Sequence, residues 1–115
     1  MEKKNIDWEN IGFGYIPTDK RFVANYKDGA WDEGGLTEDP NIVMNECAGV
    51  LQYAQTIFEG MKAYTTEDGH IVTFRPDLNA KRMVDSAKRL EMPPFPEDRF
   101  VGAIVQTVRA NEAYV

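Results

Sequence analysis

Leu51-Gln52-Tyr53-Ala54-Gln55-Thr56-Ile57-Phe58-Glu59-Gly60-Met61-Lys62-Ala63-Tyr64 decides how this chain is organised, because its pattern changes in mid-course. With Val50 in front, Tyr53, Ala54, Ile57 and Phe58 recur at i+3, i+4, i+7 and i+8, the spacing of one apolar helix face. Gly60 stands where such a helix would stop, since glycine enters the left-handed C-terminal conformation without a Cβ penalty. Residues 61–64 then leave as a strand. Tyr53 and Phe58 flank the corner, either as core rings or as walls of an apolar pocket. The helical periodicity by itself favours core.

Outward from this stretch, the next breaks are equally clear. Thr66-Glu67-Asp68-Gly69 is a tight turn, and His70-Ile71-Val72-Thr73-Phe74 is a β-branched strand, so residues 61–74 form a hairpin. Pro76 suits the first turn of a helix whose apolar face is Ala80, Met83, Val84, Ala87 and Leu90. Met92-Pro93-Pro94 ends it. Pro96 opens another helix, with Glu97 and Asp98 complementing the positive end of its dipole. Val101, Ile104, Val105 and Val108 are its buried stripe, and it runs to about Asn111.

Upstream, Phe22, Val23 and Tyr26 mark a strand over residues 21–26. Lys27-Asp28-Gly29 turns it back, because Asp-Gly favours positive φ, and Ala30-Trp31-Asp32 pairs with it. Glu33-Gly34-Gly35 reads as a bend. Ile42-Val43-Met44 is a candidate short strand after the turn signal Asp39-Pro40-Asn41. In residues 1–18, Trp8, Ile11, Phe13, Tyr15 and Ile16 predict a segment that lies against something, while Gly12, Gly14 and Pro17 interrupt regular structure. The order hairpin, helix, hairpin, helix, helix predicts an α+β fold: a two-layer sandwich of a small, mostly antiparallel sheet with helices packed on it.

Composition narrows the function. The 115 residues fit one domain, 43% apolar and 28% charged. A net charge of -6 argues against nucleic acid or an anionic membrane as the main partner, since both need a basic footprint. No apolar run approaches the roughly 20 residues of a spanning helix, and the first residues do not resemble a signal peptide. Cys47 is the single cysteine and His70 the single histidine, which excludes an internal disulfide and disfavours a metal site. A soluble, cytoplasmic, acidic domain is the expectation. Cys47, with no histidine in its sequence context to activate it, reads as structural. His70 reads as a surface residue, and Arg75 as a loop arginine. Glu59 is expected to bond backbone or a nearby basic group rather than act as a base. Arg82 lies off the Ala80/Val84/Ala87 stripe, and on pattern alone it is a solvated arginine.

Gln52-Tyr53 followed by Ile57-Phe58-Glu59-Gly60-Met61-Lys62-Ala63-Tyr64 resembles the N-terminal part of a branched-chain amino-acid aminotransferase, a fold-type IV pyridoxal-phosphate enzyme. Phe74-Arg75-Pro76-Asp77-Leu78-Asn79-Ala80-Lys81-Arg82-Met83 and Asp85-Ser86-Ala87-Lys88-Arg89-Leu90 resemble the same family's next segment, in the same order and at a matching distance. Phe13-Gly14 followed by Thr18-Asp19 also fits. A lone Phe-Glu-Gly would be weak; the two segments in register are specific, and the likeness spans nearly the whole chain. It implies the small N-terminal domain of such an enzyme, working as a homodimer. The cofactor would be pyridoxal 5′-phosphate, and the reaction would move the amino group of leucine, isoleucine or valine to 2-oxoglutarate, giving glutamate. Arg82, in its Arg-x-x-x-Ser-Ala context, would bind the cofactor phosphate, which a planar and permanently charged fork suits. Phe58 would wall the substrate side-chain pocket, Tyr53 would reach the neighbouring subunit's pocket, and Phe13 would be a third pocket aromatic. Burying a branched apolar side chain there would contribute about 1.5–3 kcal/mol.

The same resemblance implies what the 115 residues lack. Lys3, Lys4, Lys20, Lys27, Lys62, Lys81 and Lys88 are the lysines, and none matches the family's Schiff-base lysine, which lies in a larger C-terminal domain. No catalytic residue is therefore assigned. The expectation is a small domain over residues 1–115, stopping just before its last strand, inactive alone and not retaining the cofactor. Its incomplete sheet would have an exposed edge. A D-amino-acid aminotransferase or a 4-amino-4-deoxychorismate lyase would share the Arg-x-x-x-Ser-Ala helix, but the run from Phe58 to Ala63 favours the branched-chain enzyme. A stand-alone, non-catalytic binding module is the third reading.

Overall fold

The turn at Lys27-Asp28-Gly29 lies inside a larger hairpin. In a computed structural model, described over residues 2–115, β1 (Arg21–Val23) pairs antiparallel with β4 (Gly35–Thr37), Phe22 opposite Leu36. Between them β2 (Tyr26–Lys27) and β3 (Ala30–Trp31) form a second short ladder, Tyr26 opposite Trp31. Asp28 and Gly29 close it at φ 53° and 84°, as an Asp-Gly hairpin turn requires. The Trp31 ring stands edge-on to Tyr26 at 5.3 Å and to Phe95 at 5.0 Å, and its Nε1 donates to the Pro94 carbonyl at 3.0 Å. The inner hairpin is thereby tied to the loop between the last two helices.

The bend expected at Glu33-Gly34-Gly35 leads directly into a strand, β4, that the sequence did not predict. Gly34, at φ 68°, makes the corner, and a Cβ there would lie 2.7 Å from the Phe22 ring, so the chain turns tightly and then pairs with β1. Ile42-Val43-Met44 is not a strand; Ile42 and Val43 are 80% and 98% exposed, and among the described residues no strand pairs with them.

The helix expected over residues 50–58 is also corrected. α1 (Gly49–Tyr53) has five residues and ends at Ala54, which takes the left-handed conformation at φ 52° and lets the next residue, Gln55, donate its N–H to the Gly49 carbonyl at 3.2 Å. None of its residues is buried. Tyr53 and Phe58 are 86% and 89% exposed, so the apolar face never meets a core. A helix this short with no packed face has little to propagate it.

The second half follows its pattern in element type and order, but the stripe Val101, Ile104, Val105 and Val108 is not buried as expected: three of the four are half-covered and Val105 is exposed, because the neighbouring elements leave that face partly open. β5 (Ala63–Thr65) and β6 (Ile71–Thr73) form an antiparallel hairpin, Tyr64 opposite Val72, turned at Gly69. α2 (Pro76–Arg89) carries proline at its start, and α3 (Glu97–Ala110) carries Glu97 and Asp98 in its first turn. α2 packs on α3, and α3 on β1 and β4. Ala80 and Ala87 are almost wholly buried, at 1% and 2% exposure; small side chains let the elements approach closely. A closing turn, η1 (Glu112–Tyr114), brings Ala113 into the core. Only the first residues of the N-terminal segment bond this end: the Lys4 N–H donates to the Ala113 carbonyl at 2.7 Å, and Lys3 Nζ to the Glu112 carbonyl at 2.8 Å, whereas Trp8, Ile11, Phe13, Tyr15 and Ile16, expected to lie against something, are exposed.

The fold is α+β. Among the described residues, the strands form three separate two-stranded ladders rather than one small sheet. An apolar cavity of about 470 Å³ lies among β1, β3, the β5–β6 hairpin, α2 and α3, lined by Phe22, Trp31, Met61, Met83, Phe100 and Ile104 among others. Among the described residues, no helix is long and apolar enough to cross a membrane.

Candidate functional site

The helical spacing of α2 places Asn79 and Arg82 three residues apart on one face, above the segment that joins α1 to β5. Both reach Glu59. Arg82 donates from Nε to Glu59 Oε1 and from Nη2 to Oε2, the latter at 2.8 Å, so the guanidinium meets the carboxylate side-on. Asn79 Nδ2 donates to Glu59 Oε2 at 2.6 Å and to the Gly60 carbonyl at 3.0 Å. The two ends of the ion pair differ in burial: the Glu59 side chain is 7% exposed and that of Arg82 66%. Bonding to Arg82, aided by Asn79, holds the Glu59 carboxyl below its ordinary pKa against the opposing effect of burial. The same bond pushes the Arg82 guanidinium further up.

Glu59 therefore bonds a basic group, as its sequence context predicts. Arg82 lies off the buried stripe and is exposed, but it is not simply solvated, because one edge of its fork is fixed. Its Nη1 has no hydrogen-bond partner among the described residues. Permanent positive charge, a fixed plane and a free donor edge fit one oxygen face of a phosphate.

The aromatic candidates are dispersed. Phe58 is next in sequence to Glu59, and its ring stands over Gly60, where an added Cβ would come within 3.4 Å of it. Tyr53 projects from α1 and has no hydrogen bond or ring partner among the described residues. Phe13 is fully exposed and lines a different groove, with Trp8, Ile11, Tyr64 and Tyr114. None of Tyr53, Phe58, Phe13 or Arg82 lines the 470 Å³ cavity. The structure thus brings Arg82 to the Phe58–Glu59–Gly60 segment, and leaves Tyr53 and Phe13 outside that contact.

The remaining residues have local roles. Arg75, left-handed at φ 45°, pairs side-on with Asp77 in the first turn of α2, at 3.0 and 2.7 Å. His70 is exposed and meets Asp68 at 2.9 Å. Cys47 is exposed, which corrects its reading as a structural residue: residues 41–47, the loop before α1, are all exposed with it. Asn79 escaped notice in the sequence. Its spacing of three from Arg82 was the available signal that the two could share a partner.

No protein-family model matches the chain. Curated proteins do. The chain is 49% identical over 112 residues to the branched-chain-amino-acid aminotransferase of Haemophilus influenzae, covering 97% of this chain and 33% of that protein. It is 43% identical over 112 residues to the branched-chain-amino-acid aminotransferase of Helicobacter pylori, again with 97% and 33% covered. A methionine aminotransferase of Arabidopsis thaliana is 43% identical over 112 residues, with 96% and 32% covered. The chain is thus similar to proteins named branched-chain-amino-acid aminotransferase, and it spans about a third of the length of the curated relatives it matches.

Proposed function

We propose that these residues are the N-terminal small domain of a branched-chain-amino-acid aminotransferase that uses pyridoxal 5′-phosphate. The whole enzyme would take leucine, isoleucine or valine as donor and 2-oxoglutarate as acceptor, working as a cytoplasmic homodimer. Identity of 43–49% over nearly the full chain to proteins of that name carries the reading. The exposed, half-occupied fork of Arg82 supports it, because that is the donor set a phosphate monoester needs. When bound, the cofactor supplies the electron sink that lets an amino group pass between two acids.

The residues of this chain bind and position. Arg82 grips the cofactor phosphate with its free edge. Phe58, one residue from the Glu59 anchor, presents an apolar ring for a branched side chain. Tyr53 and Phe13 are exposed enough to serve a surface completed by other parts of the protein or by a second subunit. The lysine that bonds the cofactor is placed outside this chain. A lone exposed thiol at Cys47 suits a reducing compartment.

Likeness to a methionine aminotransferase makes methionine the competing donor to test against leucine, isoleucine and valine. The test is glutamate formation by the complete protein from each donor with 2-oxoglutarate. Transfer from leucine, isoleucine and valine is expected, and the 115-residue chain alone should show none. Transfer confined to methionine or D-alanine, or none, would overturn the assignment.

A further inference from the structure

The phosphate reading of Arg82 leaves Glu59 without a role, yet Glu59 is the better anchored of the two. Its carboxylate is nearly covered, and Asn79 clamps both that carboxylate and the neighbouring Gly60 carbonyl to α2. Arg82 reaches over this fixed point from the next turn. A guanidinium has five N–H donors. Glu59 takes one from Nε and one from Nη2, which leaves both on Nη1 and one on Nη2, on the edge turned away from the carboxylate. A long exposed side chain loses rotamer freedom when it grips an anion, and fixing it beforehand lowers that cost.

We propose that Glu59 is a positioning residue, holding the Arg82 guanidinium so that its outer edge is ready for a phosphate monoester. This rests on the reading of Arg82 as the phosphate grip. The opposite role is also physical: a carboxylate beside the arginine repels a second anion and competes for its donors. Two features favour positioning. Glu59 occupies the inner edge and not the outer one, and it is fixed by Asn79 independently of Arg82, so an arriving anion has no reason to displace it. The neutral pair also makes recognition depend on donor geometry more than on net charge, which suits a tetrahedral oxyanion over a diffuse one.

The sign of one substitution separates the roles. In the complete protein, dissociation constants are measured by absorbance titration for pyridoxal 5′-phosphate and for pyridoxal, which lacks the phosphate. Glu59→Gln keeps the shape and one acceptor but removes the paired carboxylate oxygens. It should weaken pyridoxal 5′-phosphate about tenfold, the scale of one oriented charge-assisted bond, and leave pyridoxal unchanged. Arg82→Gln should remove the preference for the phosphorylated form, and adding Glu59→Gln to it should change nothing more. Asn79→Ala, which loosens the clamp without altering charge, should weaken pyridoxal 5′-phosphate in the same direction and stands in if the Glu59 variant does not fold. If Arg82→Gln leaves the phosphate preference intact, the phosphate reading itself fails. If Arg82→Gln removes it while Glu59→Gln tightens binding or has no effect, only the positioning role fails. Equal weakening of both ligands by Glu59→Gln would reduce Glu59 to a structural residue and overturn the proposal.

Discussion

Replacing Asn111 should cost more than any surface change of its size. Asn111 is the buried polar side chain of the described core, 7% exposed, at the end of α3. Its amide pairs with the backbone of a residue 91 positions earlier: the Lys20 N–H donates to Oδ1 at 2.9 Å, and Nδ2 donates to the Lys20 carbonyl at 2.7 Å. Nδ2 also donates to the Thr107 carbonyl at 2.8 Å, but the Asn111 backbone N–H reaches the same oxygen at 3.1 Å, so that acceptor stays satisfied without the side chain. Two bonds are therefore at stake in Asn111→Ala, each about 1 kcal/mol net, plus part of the penalty for leaving a half-buried N–H and C=O unpaired. The sum is roughly 2–3 kcal/mol. Asn111→Asp keeps the acceptor for the Lys20 N–H but turns its other oxygen onto two carbonyls, at the negative end of the α3 dipole. At neutral pH it should cost at least as much as alanine. Urea unfolding followed by far-ultraviolet circular dichroism measures both. A cost below about 0.5 kcal/mol for alanine, the size of an ordinary surface change, or an aspartate milder than alanine, would refute the account.

Three further outcomes follow from other contacts. Gly34→Ala should destabilise the chain by about 1–3 kcal/mol in the same assay, because φ is 68° and the new Cβ would meet Phe22 at 2.7 Å and Ala24 at 2.9 Å. Ala87→Leu should cost about 1–3 kcal/mol by overpacking a site of 2% exposure, whereas Lys88→Leu beside it, exposed, should not. The Glu59 carboxyl has a folded pKa below its ordinary value of 4.5, so its contribution to stability is complete above that value and is lost as pH falls through the depressed one. Unfolding measured from about pH 6 down to pH 3 should therefore fall less steeply in Glu59→Gln than in the unaltered chain.

Local patterns were legible where one element dictates its own form. Pro76 with the Ala80/Val84/Ala87 stripe located α2. Glu97 and Asp98 before a valine-rich stripe located α3, and the two glycine turns located the β2–β3 and β5–β6 hairpins. The pattern failed at residues 50–58, where Tyr53 and Phe58 have helical spacing but nothing to pack against. It also failed at β4, whose pairing depends on the Phe22 ring filling the corner that Gly34 leaves open. At the candidate site, Arg82 and Phe58 were legible through resemblance, and Glu59 as a partner for some basic group. Which group, and that Asn79 joins it, were not.

The sequence by itself therefore determined the α+β order, the two long helices, the hairpin turns and the likeness to branched-chain-amino-acid aminotransferases. Each of these rests on spacing within a few residues or on a run of residue types. Tertiary structure alone decided that Glu59 meets Arg82 and Asn79 across 23 and 20 positions, that Asn111 pairs with Lys20 across 91, and that the strands make three ladders. The physical reason is the same in each case: a hydrogen bond between distant residues is set by how packed elements are oriented, and no local periodicity encodes that orientation.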